Sequence, residues 1–167
     1  NLCDDMEAGK VDLAIGPLSQ LKAGFFQRRL FRQRYVCLFR KGHALDRKRL
    51  TVADWQAAEH LVIVSAGTGH GKVDELLRRT HAERTKRLTI PHFVSVGHIL
   101  QRTNMLATVT ERLAESLVEP FDLTFRPHPI DLPEIAINLF WHAKVHRSPV
   151  HQWLRGVVFN LFGEGNA

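Results

Sequence analysis

Residues 134–142 alternate Ile135, Ile137, Leu139 and Trp141 with Ala136, Asn138, Phe140 and His142, the clearest strand period in the chain. Shorter apolar runs at 11–15, 34–39, 62–64, 105–109 and 121–125 predict further strands. A run at 88–96 carries Pro91, which cannot donate a ladder hydrogen bond, so it predicts either an edge strand or one that begins after the proline. The run at 11–15 reads as a short buried strand ending at Gly16-Pro17, and the crevice beyond such a strand is where α/β sheets bind ligands.

Helical spacing falls between these runs. Leu2 and Met6 face inward on a first helix that Gly9 stops. Thr51 and Asp54 have the spacing of a capping box, with Val52 and Trp55 inward. Ser95 is placed to cap a helix with Ile99 and Leu100 buried, and Thr110 one that runs through Leu117. A last helix has Ser148 as N-cap and Pro149 in its first turn; Val150, Trp153, Leu154, Val157, Val158, Leu161 and Phe162 share a face, and Gly163 ends it. Residues 42–49 and 84–87 read as charged connections, and Pro127, Pro129 and Pro133 as a stiff crossover.

Strand and helix alternate from 62 to 117, which predicts a small, mainly parallel sheet. The expected architecture is α/β with two lobes: 1–43 with 131–167, and an inserted 44–130. Two crossovers would make an interlobe cleft, the usual place for a small-molecule site. Gly16-Pro17 and Asn138 would reach it from one lobe, His70 and Ser95 from the other.

The stretch 62–79 concentrates the candidate chemistry. Glycines 67, 69 and 71 surround Thr68 and His70 and lead into Val73, Leu76 and Leu77 at helical spacing. A nucleotide-binding P-loop would need glycine at Ala66 and a hydroxyl at Val73, and without the hydroxyl there is no magnesium ligand. The dinucleotide glycine spacing fails as well. Two readings remain: a ligand-facing turn at a helix start, or a simple connection.

Composition narrows the classes. The chain has 167 residues, 44% of them apolar, and a formal charge of +6. Its cations are scattered, with the densest stretch at 28–49, which suits a solvated face better than a nucleic-acid track. Cys3 and Cys37 have no spaced partners and no secretory segment ahead of them, which predicts reduced thiols and a soluble, cytoplasmic protein. No apolar run approaches the ~20 residues of a membrane span. His142 and His146 lack the glutamate of a zinc-protease helix, no serine lies in a nucleophile elbow, and the other histidines form no metal-ligand spacing. No catalytic residue, cofactor or metal is expected, and an enzyme is not.

In order, VDLAIG, FFQRRLFRQRYVCLFRK, the GTGHG turn, ATVTERLA and LPEIAINLFWHAK resemble the effector-binding domain of LysR-type transcriptional regulators, in particular the branch responsive to salicylate-like and nitroaromatic compounds. The resemblance implies a two-lobed, periplasmic-binding-protein-like (type II) fold. It also implies that the N-terminal part of the first lobe and the DNA-binding winged helix-turn-helix lie outside this chain. The whole protein would be a homo-oligomer, dimer or tetramer, that binds promoter DNA through that N-terminal domain and takes a small aromatic acid as inducer. Residue by residue, His70 matches the branch's pocket histidine, Phe31 an aromatic position of the cleft, Gln33 a variable pocket position, and Arg112 an arginine implicated in effector response. Arg112 also reads as an ordinary surface arginine.

An aromatic acid would pack its ring on Phe31 and Ile137 and direct its polar atoms to His70, Gln33, Thr68 and Ser95. Asn138 is the polar member of an apolar strand. On local pattern alone, Ile137 and Phe93 read as core. The other reading of the fold is a solute-binding protein of a transport system, because fold does not fix function.

Overall fold

The structure, a computed structural model, describes residues 1–18, 21–46, 49–64, 73, 76–77 and 83–164. In chain order it contains α1 (Leu2–Glu7), β1 (Ala14–Gly16), β2 (Phe25–Gln33), β3 (Tyr35–Arg40), α2 (Val52–Ala57), β4 (Glu59–Ile63), β5 (Thr85–Ile90), α3 (Val96–Leu100), β6 (Met105–Thr110), α4 (Glu111–Val118), β7 (Leu123–Pro127), β8 (Ile135–His142) and α5 (Pro149–Phe162). Two compact units result. Unit 1 is Asn1–Arg32 with Ile135–Ala167, and unit 2 is Gln33–Glu134.

Unit 2 is built on a five-stranded sheet in the order β5-β4-β6-β3-β7. Its centre shows why the sequence forms it: Val36 and Leu38 of β3 join one buried cluster with Leu61, Ile63, Val96, Leu100, Ala107 and Val109. The intervening Cys37 and Phe39 are also fully buried, so both faces of β3 are covered and the strand reads as a continuous apolar run. β4 lies parallel to β5 and β6, whereas β3 is antiparallel to β6 and β7. The strands between 62 and 117 are thus parallel as expected, and β3 and β7, outside that run, make the whole sheet mixed.

Local signals place the helices of this unit. The capping box forms as spaced: Asp54 N–H donates to Thr51 Oγ1 at 3.1 Å, and Thr51 N–H donates back to Asp54 Oδ2 at 3.2 Å. It sets Trp55 into the interior, where it is fully buried. Val73 and Leu77 are buried at helical positions. Gly97 lets α3 approach Phe121, since a Cβ there would lie 2.4 Å from the ring.

Unit 1 has a three-stranded sheet, β1-β8-β2, with β1 antiparallel to β8 and Gly16 opposite Asn138. Its buried cluster is Leu30, Leu139 and Trp141, against which Leu13, Phe31, Val145, Val158 and Phe159 pack. α1 ends in a Schellman arrangement: Gly9 takes φ +73°, its N–H donates to Met6 O, and Lys10 N–H donates to Asp5 O.

Several expectations are corrected. The strand expected over 11–15 is only β1, an edge strand, so Ile15 stays 51% exposed instead of buried. β2 carries no period-two signal because Leu30 is its one buried residue, and the apolar pattern could not reveal it. Residues 84–87, read as a connection, run into β5; this edge strand ends just before Pro91, where no ladder donor is needed. The strand at 34–39 lies within unit 2, whose first boundary is between Arg32 and Gln33 rather than near residue 44. Among α5's described residues none is buried, and Val150, Trp153, Leu161 and Phe162 of its apolar face are exposed.

Candidate functional site

Thr68 and His70, with the rest of the glycine turn, lie outside the described residues. The other candidates fall in both units. In unit 1, Phe31 is half-buried against the Leu30, Leu139 and Trp141 cluster, the place an aromatic in β2 gains most from burial. Ile137 and Asn138 follow one another on β8 and are both half-buried. Asn138 sits opposite Gly16, so the strand register joins two of the residues singled out from sequence.

In unit 2, Gln33 is half-buried at the end of β2, and its side-chain oxygen Oε1 is buried without a hydrogen-bond donor. A buried carbonyl left unpaired costs free energy unless something donates to it. Ser95 does not cap α3 through its side chain; its hydroxyl instead donates to His92 O at 3.3 Å. The cause is local, because Phe93–Ser95 forms a 3-10 turn that leads into the helix and puts Ser95 in a helical conformation. Thr110 and Ser148 likewise occupy N-cap positions without side-chain capping bonds.

Arg112 is exposed on α4. Beside it, Arg34 forms a two-pronged bond to Glu111: Nε to Oε2 at 2.8 Å and Nη2 to Oε1 at 2.5 Å. Glu111 N–H also donates to Arg34 O. The pairing raises the Arg34 guanidinium above its usual range, through the hydrogen bond first and charge attraction second. This clamp fixes the start of α4 to the residue following Gln33, so Gln33 and Arg112 flank a single ion pair. Sequence reasoning missed the clamp, since 77 residues separate the partners.

A second polar group lies in the interior of unit 2. His60 is fully buried, and its Nε2 donates to Trp55 O at 2.7 Å. Its Nδ1 and the indole N–H of Trp55 are a buried acceptor and a buried donor with no partner. The His128 ring packs edge-on against Trp55 and lies 3.3 Å from the Thr108 hydroxyl. Burial depresses both histidines to about 4, so both are neutral near pH 7. In the same unit, burial pushes the Tyr35 hydroxyl up to about 12 and the Cys37 thiol well above its ordinary range, which leaves that thiol protonated and inert. Among the described residues no group of His, Cys, Asp and Glu side chains could hold a metal. No helix among them is long and apolar enough to cross a membrane.

Comparison with known proteins agrees with these elements. Residues 1–162 match the family described as the LysR substrate binding domain. The chain is 51% identical over 164 residues to the HTH-type transcriptional activator NagR of Ralstonia sp, covering 98% of this chain and 54% of that protein. It is 52% identical over 162 residues to the HTH-type transcriptional activator NahR of Pseudomonas putida, covering 97% and 54%. The chain thus spans about half the length of these relatives, which carry regulator names and not enzyme names. In fold it is similar to the regulatory domain of MexT, a transcriptional activator in Pseudomonas aeruginosa, with a TM-score of 0.78 at 23% identity, over 95% of this chain and 76% of that one.

Proposed function

The chain belongs to the LysR substrate-binding-domain family, and from that premise we propose that it senses a small aromatic acid for a transcriptional regulator. The observation that carries the regulator reading is identity above one half to two transcriptional activators over nearly the whole chain. It favours a sensor over the solute-binding protein of a transport system. The relatives' additional length is where a DNA-binding part belongs, so promoter binding, homo-oligomer formation and a cytoplasmic location are proposed for the whole protein.

The inducer's ring packs on Phe31 and Ile137, and its polar atoms are met by His70, Gln33, Thr68, Ser95 and Asn138, with Arg112 transmitting or adding charge. Gln33 gives this assignment its physical support. An unpaired buried carbonyl favours a ligand that carries a hydroxyl or acid proton, and an amide accepts and donates without titrating near neutral pH. Binding shifts the DNA-bound oligomer between conformations only to the extent that the inducer prefers one of them.

A thermal-shift titration of the full-length protein with salicylate, benzoate and nitrobenzoates tests the reading. Ligand at 100 times its Kd adds about 2.7 kcal/mol of apparent stability. A shift that disappears in His70→Ala supports the site. No shift with any aromatic acid, in protein that still binds its promoter, removes the inducer class and leaves the regulator.

A further inference from the structure

The chain passes between the two units twice, after Arg32 and after Glu134. Both crossings are strand ends of one sheet: β2 ends at Gln33, β8 begins at Ile135, and the two strands are hydrogen-bonded neighbours. Arg34 directly follows the first strand end, and Glu134 directly precedes the second. Neither is among the eight residues assigned to the inducer.

Arg34 meets Glu111 with both its side chain and its backbone. Besides the two-pronged bond from its guanidinium to the Glu111 carboxylate, its carbonyl accepts from Glu111 N–H at 3.1 Å. The register explains the meeting, because Tyr35 lies opposite Thr110 in the β3–β6 ladder and the next pair outward is 34 with 111. Glu111 is the first residue of α4, where a carboxylate suits the helix dipole. Thr110 gives no side-chain cap there, so the Arg34 carbonyl takes up one of the helix's free N–H groups. The start of α4 is thereby set by the position of the residue next to Gln33.

The charge of Arg34 also reaches the second crossing. Its guanidinium is held above the usual range by the bond to Glu111 first and the charge of Glu111 second, and Glu134 and Glu115 add attraction. One arginine thus acts on carboxylates of α4 and on the residue that leads into β8. An ion pair with an exposed guanidinium contributes little to stability, so what this one supplies is position.

We propose that Arg34 is a positioning residue: bonded to Glu111, it fixes both chain crossings to the start of α4, so that inducer contact at Gln33 is passed to the regulator's response and not absorbed at the strand ends. This rests on the reading of Gln33 as an inducer contact. A donor that engages the orphan Gln33 Oε1 moves the end of β2, and the next residue carries that movement to Glu111 and α4, on which Arg112 lies.

The test uses the full-length protein with Arg34→Gln and Glu111→Gln, which open the pair from either side. In both variants the Kd for salicylate, measured by calorimetry, is expected to stay within about threefold of the native value. Transcription from the protein's own promoter, compared with and without saturating salicylate, is expected to lose its response by about tenfold. Amide hydrogen exchange at Gln33, Ile135 and Ala136 is expected to become about tenfold faster.

A Kd that rises in step with the lost response would make Arg34 an inducer contact or a folding requirement and overturn the proposal. An unchanged response, or unchanged exchange at the strand ends, would overturn it as well. If the native protein binds neither salicylate nor benzoate, the inducer reading is what fails, and the exchange measurement alone then decides whether Arg34 anchors the crossings.

Discussion

The two units contain similar elements but hold them by different means. In unit 2 the inner strands of a five-stranded sheet are covered on both faces, and β3, one of them, has Val36, Cys37, Leu38 and Phe39 all essentially inaccessible. In unit 1 the buried cluster has three members, and α5, the longest helix among the described residues, contributes none of them. Val158 and Phe159 of α5 pack against that cluster while only half-buried, and around them the contacts are of another kind: guanidinium groups over Phe159 and Trp141, the bond from the Trp141 indole to the His146 imidazole, and Glu164 just past the helix, whose carboxylate accepts from Arg32 N–H at 2.7 Å and faces Arg29. Apolar burial is the larger and less salt-sensitive stabiliser, while exposed ion pairs contribute about 0–1 kcal/mol each. Unit 2 should be the stability reservoir and unit 1 the adaptable region, which is where a ligand's own contacts count for most.

The comparison is tested most severely in the centre of unit 2. Leu38→Ala should cost about 2–5 kcal/mol in urea denaturation, since a fully buried leucine leaves both a transfer loss and a cavity. A cost below about 1 kcal/mol would mean that β3 is not a principal part of the core.

Acid should act next, through His60, a fully buried histidine of the same unit. His60 has a folded pKa of about 4 against an ordinary 6.5, so the unfolded chain binds the proton more readily. Stability is then full above about pH 6.5 and falls as the pH drops towards 4, by about 3 kcal/mol for complete neutral burial. His60→Leu should make melting temperature fall less steeply with pH across that window, His128 carrying the remainder; an unchanged slope would assign the acid sensitivity elsewhere.

Smaller effects sharpen the contrast. Thr51→Ala removes one half of the capping box and should cost about 1 kcal/mol in the same denaturation. Trp153→Ala on α5 should change stability by less than about 0.5 kcal/mol, because Trp153 is 68% exposed. A loss of 2 kcal/mol or more at Trp153 would show that this face is covered in the whole protein, and the contrast between the units would shrink.

Legibility in the sequence followed the same division. Unit 2's inner strands are readable because burial on both faces produces unbroken apolar runs such as VCLF and MLATV, whereas the exposed edge strand β5 is not. The Thr51–Asp54 box was readable because both partners lie within one turn. β2 was not: FFQRRLFRQ buries a single residue, so its strand state comes from pairing with β8, which local pattern does not record. The face of α5 was read from spacing, but spacing reports which residues align and not whether anything covers them. At the site, the family resemblance supplied Phe31, Gln33 and Arg112 by position. The Arg34–Glu111 clamp and the orphan oxygen of Gln33 depend on tertiary contact and had no local signal.

The pairing of β3 also sets a timetable for biosynthesis. Its neighbours are β6 and β7, which begin at Met105 and Leu123, the nearer one 70 residues downstream of Tyr35. At roughly 5–20 residues per second, the most apolar strand of the sheet leaves the ribosome about 4–14 s before either partner exists. During that interval it must be shielded by something other than its own sheet, so the yield of this domain in a cell should depend on chaperone supply more than its final stability would suggest.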